Sequence, residues 1–173
     1  ADTDRIFILN GYAGTGKTSI IAAFVATLKK LRIKPVMLAP TGRAAKVMAR
    51  HTGLGASTIH KKIYRQKSSA DPEPGFSLDF NREKDACFIV DEASMLSASA
   101  DAGSPFGSGS LLDDLFQYVR QGTRCRILFV GDDAQLPPVG HDRSPALDPD
   151  FMAAYGAVEY GTLDEVMRQS DDS

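Results

Sequence analysis

Arg5-Ile-Phe-Ile-Leu-Asn10 runs directly into Gly11-Tyr-Ala-Gly-Thr-Gly-Lys-Thr18, and this junction decides the fold class. The apolar run reads as a buried β-strand. Downstream, Ile20, Ile21, Phe24, Val25 and Leu28 recur at helical spacing, so a helix follows the glycines and lays that stripe on a sheet. Strand, glycine-rich loop and helix together are the context in which GxxxxGK[ST] becomes a phosphate cradle. The glycines let the loop wrap tightly, so that several backbone N–H groups point at one polyphosphate. The cradle comprises Gly11, Ala13, Gly14, Thr15, Gly16, Lys17, Thr18 and Ser19. The helix start adds its positive dipole end, Lys17 reaches the β- and γ-phosphates, and the Thr18 hydroxyl is placed to hold Mg²⁺. The expectation is a site for a nucleoside triphosphate.

Further along, strands alternate with helical patterns, which implies an α/β chain with a parallel sheet covered on both faces. Five runs read as buried strands: 6–9, 35–38, 87–90, 127–130 and 157–163. Helices are expected at 17–28, 44–50, 57–64, 111–120 and 149–155. Two segments interrupt the alternation. Residues 67–85 contain Asp71-Pro-Glu-Pro-Gly75 beside the alternating Phe76-Ser-Leu-Asp-Phe80, which predicts an exposed β-hairpin turning near 72–75. Residues 97–110, rich in Ser, Ala and Gly, read as a mobile loop.

The 173 residues, 43% hydrophobic and 24% charged, suit one ordinary globular domain with a full core. No apolar stretch approaches a membrane span, and the N-terminus lacks a basic-then-apolar targeting segment. Cys87 and Cys125 each open a predicted buried strand and read as small core hydrophobes of a cytoplasmic protein. No Cys/His cluster has metal-ligand spacing, which leaves nucleotide-bound Mg²⁺ as the metal to expect. Charge is distributed unevenly. Between Ser19 and Ala70 lie eleven Lys/Arg and no Asp or Glu, whereas Asp71 to Ser173 holds twenty acidic and seven basic residues. A basic third hidden inside a net charge of −2 points toward a polyanion, against the plainer reading of solvated helix faces.

Two later clusters carry chemistry. Phe88-Ile-Val-Asp-Glu-Ala-Ser-Met95 is an apolar strand ending in paired acids, at the sheet edge where α/β folds bind ligands. Asp91 is placed to complete a Mg²⁺ shell, and Glu92 to orient or deprotonate the water that attacks a γ-phosphate. Residues 129–140, Phe-Val-Gly-Asp-Asp-Ala-Gln-Leu-Pro-Pro-Val-Gly, end another strand with a neutral amide and a rigid Leu-Pro-Pro turn. Pro137 and Pro138 fix dihedrals, so this loop transmits a shift instead of absorbing it.

With these clusters in order, the chain resembles the RecD-like and Dda-like DNA helicases of superfamily one. Gly11–Ser19 matches their first motif, Ala39–Ala45 (Ala-Pro-Thr-Gly-Arg-Ala-Ala) motif Ia, and Thr58-Ile-His60 the element after it. Asp91–Ser94 corresponds to motif two, Gly131–Val139 to motif three, and Leu163–Gln169 to motif four. The resemblance implies a P-loop NTPase with a RecA-like sheet that uses ATP and Mg²⁺. It implies that Gln135 senses the γ-phosphate and that Arg168 adds positive charge to it. Pro40, Thr41, Gly42, Arg43, Thr58 and His60 would lie along single-stranded DNA, where small hydroxyls and backbone N–H groups suit phosphates of any sequence. The plain alternatives are an exposed arginine for Arg168 and a capped or core histidine for His60. The 67–85 hairpin would be a pin helping to part a duplex, with Phe76 or Phe80 stacking on a base.

Family members carry a second RecA-like domain that closes over the nucleotide, and an upstream glutamine that recognises adenine. This chain starts five residues before its first strand and ends at Ser173, a few residues past motif four. The expectation is therefore one motor domain of a 5′–3′ helicase, weakly active or inactive alone. Two other classes compete: a nucleotide-dependent switch or scaffold subunit, and a small-molecule P-loop kinase. The kinase leaves the Gln-Leu-Pro-Pro loop without a use.

Overall fold

A computed structural model describes residues 5–12 and 16–163. Its sheet has six parallel strands: β1 (Arg5–Gly11), β2 (Lys34–Ala39), β3 (Ala56–Thr58), β6 (Ala86–Val90), β7 (Arg126–Gly131) and β8 (Ala157–Leu163). Their order is β3-β2-β6-β7-β1-β8. Register is set by pairs such as Leu38 with Val90, Val90 with Phe129, and Asn10 with Gly131. A separate antiparallel pair joins β4 (Tyr64–Gln66) to β5 (Phe76–Leu78).

Strand side chains alternate between two faces, and each face has its own cover. Ile8, Val36, Leu38, Phe88, Val90 and Phe129 point into one core cluster with α3 (Ile59–Ile63) and α4 (Leu111–Gln121). Met37, Cys87, Ile89, Leu128 and Val130 point into the other, against Ile21, Val25 and Leu28 of α1 (Lys17–Lys30) and Met48 of α2 (Gly42–Thr52). β6 is buried along its whole length, as a central parallel strand must be. Both cysteines are free and buried, and burial pushes the Cys87 thiol up to about 12.

Apart from α1, which follows Gly16 without a side-chain cap, the helices start where the sequence supplies caps. Thr41 accepts a hydrogen bond from the Ala44 amide at 3.2 Å to open α2, and Gly53 closes that helix with φ 69°. Ser110 opens α4 by accepting from Asp113 N–H at 3.3 Å. Asp148 opens α5 (Pro149–Met152) with Pro149 at its first position.

Several elements differ from the sequence expectation. The helix expected over 57–64 is split: Ala56–Thr58 is an edge strand beside β2, and only Ile59–Ile63 is helical. The β-branched Thr58 is extended and caps the turn, with its hydroxyl accepting from Lys61 N–H at 3.2 Å. On α1, Ile21, Val25 and Leu28 form the buried stripe, while Ile20 is exposed. The paired residues of the hairpin are 64–66 and 76–78 and not 67–85, with Lys67 N–H donating to the Gly75 carbonyl at 2.9 Å across the base of the 67–75 loop.

The 97–110 segment departs furthest from the mobile loop expected of it. Phe76 N–H donates to Pro105 O at 2.8 Å and Gly107 N–H to Phe76 O at 2.9 Å, so the loop adds a bridge to the open edge of β5. Asp101 N–H donates to Gly109 O at 3.1 Å and closes the loop on itself. Gly107 has φ 49°, and a Cβ there would run into the Asp114 carboxylate and the Tyr64 ring. Asp114 is 2% exposed; it accepts from Tyr64 Oη at 2.6 Å and from Ser108 N–H at 3.0 Å. Small residues here serve close approach, not looseness.

Candidate nucleotide and nucleic-acid site

All strands of the sheet are parallel, so the segments leaving their carboxyl ends emerge on one edge. In sheet order, β3 delivers His60, β2 delivers Pro40 and Thr41, β6 delivers Asp91 and Glu92, β7 delivers Gln135, and β1 delivers the phosphate loop. Neighbouring strands lie ~4.8 Å apart, which brings motifs far apart in sequence to adjacent positions.

Lys17, Thr18, Asp91 and Glu92 border one cavity of about 100 Å³, together with His51 of α2. Lys17 Nζ donates to the Gly11 carbonyl and ties helix α1 back to the end of β1. Gly16, at φ 82°, leads into α1; Ala13, Gly14 and Thr15 lie outside the described residues. Ser19 is exposed beside Thr18. Asp91 N–H donates to Leu38 O at 3.0 Å, so the acid is seated where β6 meets β2. Burial raises the Asp91 pKa against the opposing pull of the Glu92 N–H hydrogen bond, Lys17 and His51. Glu92 is also raised, by burial first and then by the neighbouring Asp91 charge. A carboxylate held with a raised pKa is the better general base.

Glu92 carries φ 54° and ψ 37°, the left-handed region that a non-glycine residue enters at a cost of roughly 1–2 kcal/mol. Its N–H donates to Asp91 Oδ1 at 2.8 Å, which offsets part of that cost and turns the chain sharply after the strand. Strain of this kind collects at functional positions.

Gln135 Oε1 accepts from Ser94 Oγ at 3.2 Å, joining the loop after β7 to the turn after β6. Ser94 is 1% exposed, and its carbonyl accepts from Ser144 Oγ at 3.1 Å. Gly131 permits this junction: a Cβ there would lie 3.2 Å from Ser94 N and 3.3 Å from Ala93 N. Asn10 plays the matching part on the other side. Buried at the end of β1, it accepts from Asp133 N–H at 3.0 Å and donates to Tyr160 Oη at 3.1 Å. Sequence reasoning missed Asn10, Ser144 and His51 as parts of the site, and placed Ser94 at the end of motif two without a role. The available signal was weak: a lone polar residue at the end of an apolar run, and a serine two residues after the acids.

A second cavity of about 520 Å³ opens on the same edge, beside β2. Pro40, Thr41 and His60 border it, with Tyr64, Phe106 and the exposed Val139. The His60 ring lies 4.9 Å from Phe106, edge to face, and burial lowers its pKa. Gly42 and Arg43 lie just outside, exposed at the start of α2, and the Thr58 hydroxyl is engaged in its cap. Phe76 stacks on Phe106 at 4.6 Å, whereas Phe80 is 63% exposed with the Arg65 guanidinium 5.1 Å from its ring centre. Of the basic stretch, Lys34 and Lys62 are paired with Glu83, each at 2.9 Å. Arg168 lies outside the described residues. Among the described residues, no helix is long and apolar enough to cross a membrane, and no group of three His, Cys, Asp or Glu is placed to hold a metal.

Residues 1–173 match the family model described as "AAA domain" over the full chain. An ATP-dependent RecD2 DNA helicase of Deinococcus radiodurans is 32% identical over 141 residues, covering 78% of this chain and 16% of the relative. A RecBCD enzyme subunit RecD of Mycolicibacterium smegmatis is 31% identical over 160 residues, covering 76% of this chain and 25% of the relative. In fold, the chain is similar to the crystal structure of Pif1 helicase from Candida albicans, with a TM-score of 0.57 and 21% identity over 98% of this chain and 38% of that one. The chain thus spans about a sixth to a quarter of the length of these two sequence relatives. With the family model matched end to end, the chain belongs to the AAA domain family, and it is similar in sequence to RecD-type DNA helicases.

Proposed function

We propose that this chain is the ATP-binding motor domain of a 5′–3′ DNA helicase, which couples ATP hydrolysis to movement along single-stranded DNA. The observation that carries the reading is the convergence of Lys17, Thr18, Asp91, Glu92 and Gln135 on one sheet edge beside the Thr41–His60 cavity. The names of the relatives, DNA helicases of the RecD type, support it.

The donor set fits the substrate and its metal. Lys17 and the N–H groups at the start of α1 suit a triphosphate, and the Thr18 hydroxyl with the Asp91 carboxylate suits a hard, oxygen-seeking cation. Bound Mg²⁺ would neutralise charge on the β- and γ-phosphates. Glu92, held by its strained turn, orients the attacking water and takes its proton as the water oxygen bonds to the γ-phosphorus and the bond to the β-phosphate oxygen breaks. Gln135 senses the γ-phosphate, and its bond to Ser94 passes that state to the loop that borders the second cavity. Arg168 adds charge from the segment after β8. Thr41, Gly42 and Arg43 at the start of α2 hold strand phosphates. A second RecA-like domain closes the cleft in the whole protein, and the 67–85 segment, paired at its base through 64–66 and 76–78, acts as its pin, with exposed Phe80 and not Phe76 as the ring available to a base.

Lys17→Ala tests the reading directly. The unsubstituted chain is expected to bind a fluorescent ATP analogue with Mg²⁺ and a dye-labelled single strand. The variant should lose roughly a hundredfold in nucleotide affinity, the scale of a lost charge-assisted contact to phosphate, and keep its strand affinity. Unchanged nucleotide affinity, or phosphate transfer to a small acceptor with no strand binding, would overturn it.

A further inference from the structure

Asn10 stands one residue before the end of β1, on the face that Ile6 and Ile8 turn into the core. It is 4% exposed, a polar side chain where a buried parallel strand favours an apolar one. Burying an amide is unfavourable unless its oxygen and its nitrogen are both bonded. Here both are, and their partners lie on opposite sides, because β1 runs between β7 and β8. Oδ1 accepts from Asp133 N–H at 3.0 Å, in the loop after β7. Nδ2 donates to Tyr160 Oη at 3.1 Å, on β8. A backbone N–H can only donate, so the Asp133 bond fixes which end of the amide faces which neighbour.

The loop that Asn10 grips is the one that carries Gln135. That glutamine is exposed, so its direction depends on the backbone beneath it. Three successive N–H groups fix this backbone. Asp133 N–H donates to Asn10 Oδ1, Ala134 N–H to Asp132 Oδ1 at 2.9 Å, and Gln135 N–H to Asp132 O at 3.3 Å. The last two bonds close within the loop; of the three, the bond to Asn10 is the one that fastens it to another strand. The residue after Asn10 is Gly11, whose carbonyl accepts from Lys17 Nζ. Lys17 and the Gln135 loop are therefore anchored on adjacent residues of β1, although their own positions in the chain differ by more than a hundred. Tyr160 completes the arrangement, since turning the amide over would break both of its bonds.

We propose that Asn10 is a positioning residue for γ-phosphate recognition: it sets the 132–135 turn against the end of β1, so that Gln135 and Lys17 meet the same phosphate. The proposal rests on the reading of Gln135 as the γ-phosphate sensor and deepens it, because it names the group that holds the sensor in register with the phosphate loop. Asn10 itself touches no nucleotide in this scheme. Its effect passes through Asp133 N–H to the glutamine.

Competition against a fluorescent nucleotide with Mg²⁺, using a non-hydrolysable ATP analogue and ADP, gives the preference for a third phosphate. The unsubstituted chain is expected to favour the triphosphate about tenfold, the scale of one hydrogen bond to a charged group. Gln135→Ala should remove most of that preference. Asn10→Leu, close in volume to the original, should lower it to about threefold or less, with the loss falling on the triphosphate and not on ADP. Tyr160→Phe, at a half-exposed ring, should lower it to about fivefold and serves as the test if Asn10→Leu does not fold. Combining either substitution with Gln135→Ala should lower the preference no further than Gln135→Ala alone, because Asn10 acts through that glutamine. A purely structural role would instead weaken ADP as much as the triphosphate. Such equal losses, or full preference in both Asn10→Leu and Tyr160→Phe, would overturn the positioning role and leave Gln135 as the sensor. Full preference in Gln135→Ala, or none in the unsubstituted chain, would remove both.

Discussion

Two cavities open on the same carboxyl edge of one sheet, and they are built in opposite ways. The smaller, about 100 Å³, is bordered by the charged and hydroxyl side chains of Lys17 and Thr18 at the start of α1 and of Asp91 and Glu92 after β6, beside Ile21, Val47 and Met48. The larger, about 520 Å³, draws on residues near 40, 60, 97–109 and 138, and its lining is aromatic, apolar and hydroxylic. In the first, the end of β6 and the start of α1 place the chemistry, because a residue one position past a buried parallel strand, or opening a helix packed on the sheet, is positioned as firmly as that element. In the second, four loops and short elements must be held against one another before a cavity exists. The difference teaches where each site is vulnerable: the charged cleft through individual functional groups, the aromatic cavity through the bonds that assemble its walls.

The sharpest way to break the comparison is Asp114→Ala. Asp114 accepts from Tyr64 Oη and Ser108 N–H, so its loss leaves two inward-facing donors without their acceptor under the loop. A cost of about 2–3 kcal/mol is expected, read as a fall in denaturation midpoint, together with weakened strand binding. Nucleotide affinity should change by less than twofold if the two cavities are built independently. A matching loss of nucleotide affinity would show that they share one support.

Glu92→Gly probes the charged cleft with a smaller effect of opposite sign. Glycine adopts φ 54° without penalty, so the variant should be more stable by about 1 kcal/mol while losing the carboxylate. Thermal melts give the stability, and phosphate release gives the hydrolysis, which should fall to background in any form of the protein that turns over ATP. A destabilised variant would mean that the strain is not released at this turn.

The smallest effect lies away from both cavities, where Glu83 meets Lys34 at the amino end of β2. Glu83 is raised by burial, but hydrogen bonds from Lys34 and Lys62 outweigh this and hold its pKa below the usual 4.5. A depressed carboxyl pKa stabilises the fold fully above the unfolded value, and that contribution is lost as pH falls below 4.5 toward the folded value. Because Lys34 is mostly exposed, the contribution is expected to stay under about 1 kcal/mol. Denaturation midpoints measured between pH 6 and 3 should therefore fall less in Glu83→Gln than in the unsubstituted chain, by about that amount. Parallel curves would show that the pair contributes nothing measurable.

The legibility of the two sites follows from the same contrast. Arg5–Thr18, Phe88–Met95 and Phe129–Gly140 could be read because a continuous apolar run marks a buried parallel strand, and the polar residues that end it must emerge at the sheet edge. The Ala56–Thr58 strand was missed because three residues carry no period, and only pairing with β2 makes them a strand. Residues 97–110 were misread because Gly and Ser signal looseness locally, whereas Gly107 and Gly109 are small so that Asp114, Tyr64 and Asp101 can approach. Phe76 was offered as an exposed ring because alternation gives a face, but not what lies against it; Phe106 does.

By itself, the sequence determined the strand–loop–helix cradle, the α/β class and the acids and amide at the strand ends, since these depend on short runs whose physics is local. Tertiary structure alone decided the strand order β3-β2-β6-β7-β1-β8, which seats Asp91 between β2 and β7. It also joined Gln135 to Ser94 and raised the Asp114-supported wall over the second cavity. Those outcomes depend on contacts between residues forty or more positions apart, such as Tyr64 with Asp114 and Ser94 with Gln135, whose pairing no local pattern encodes.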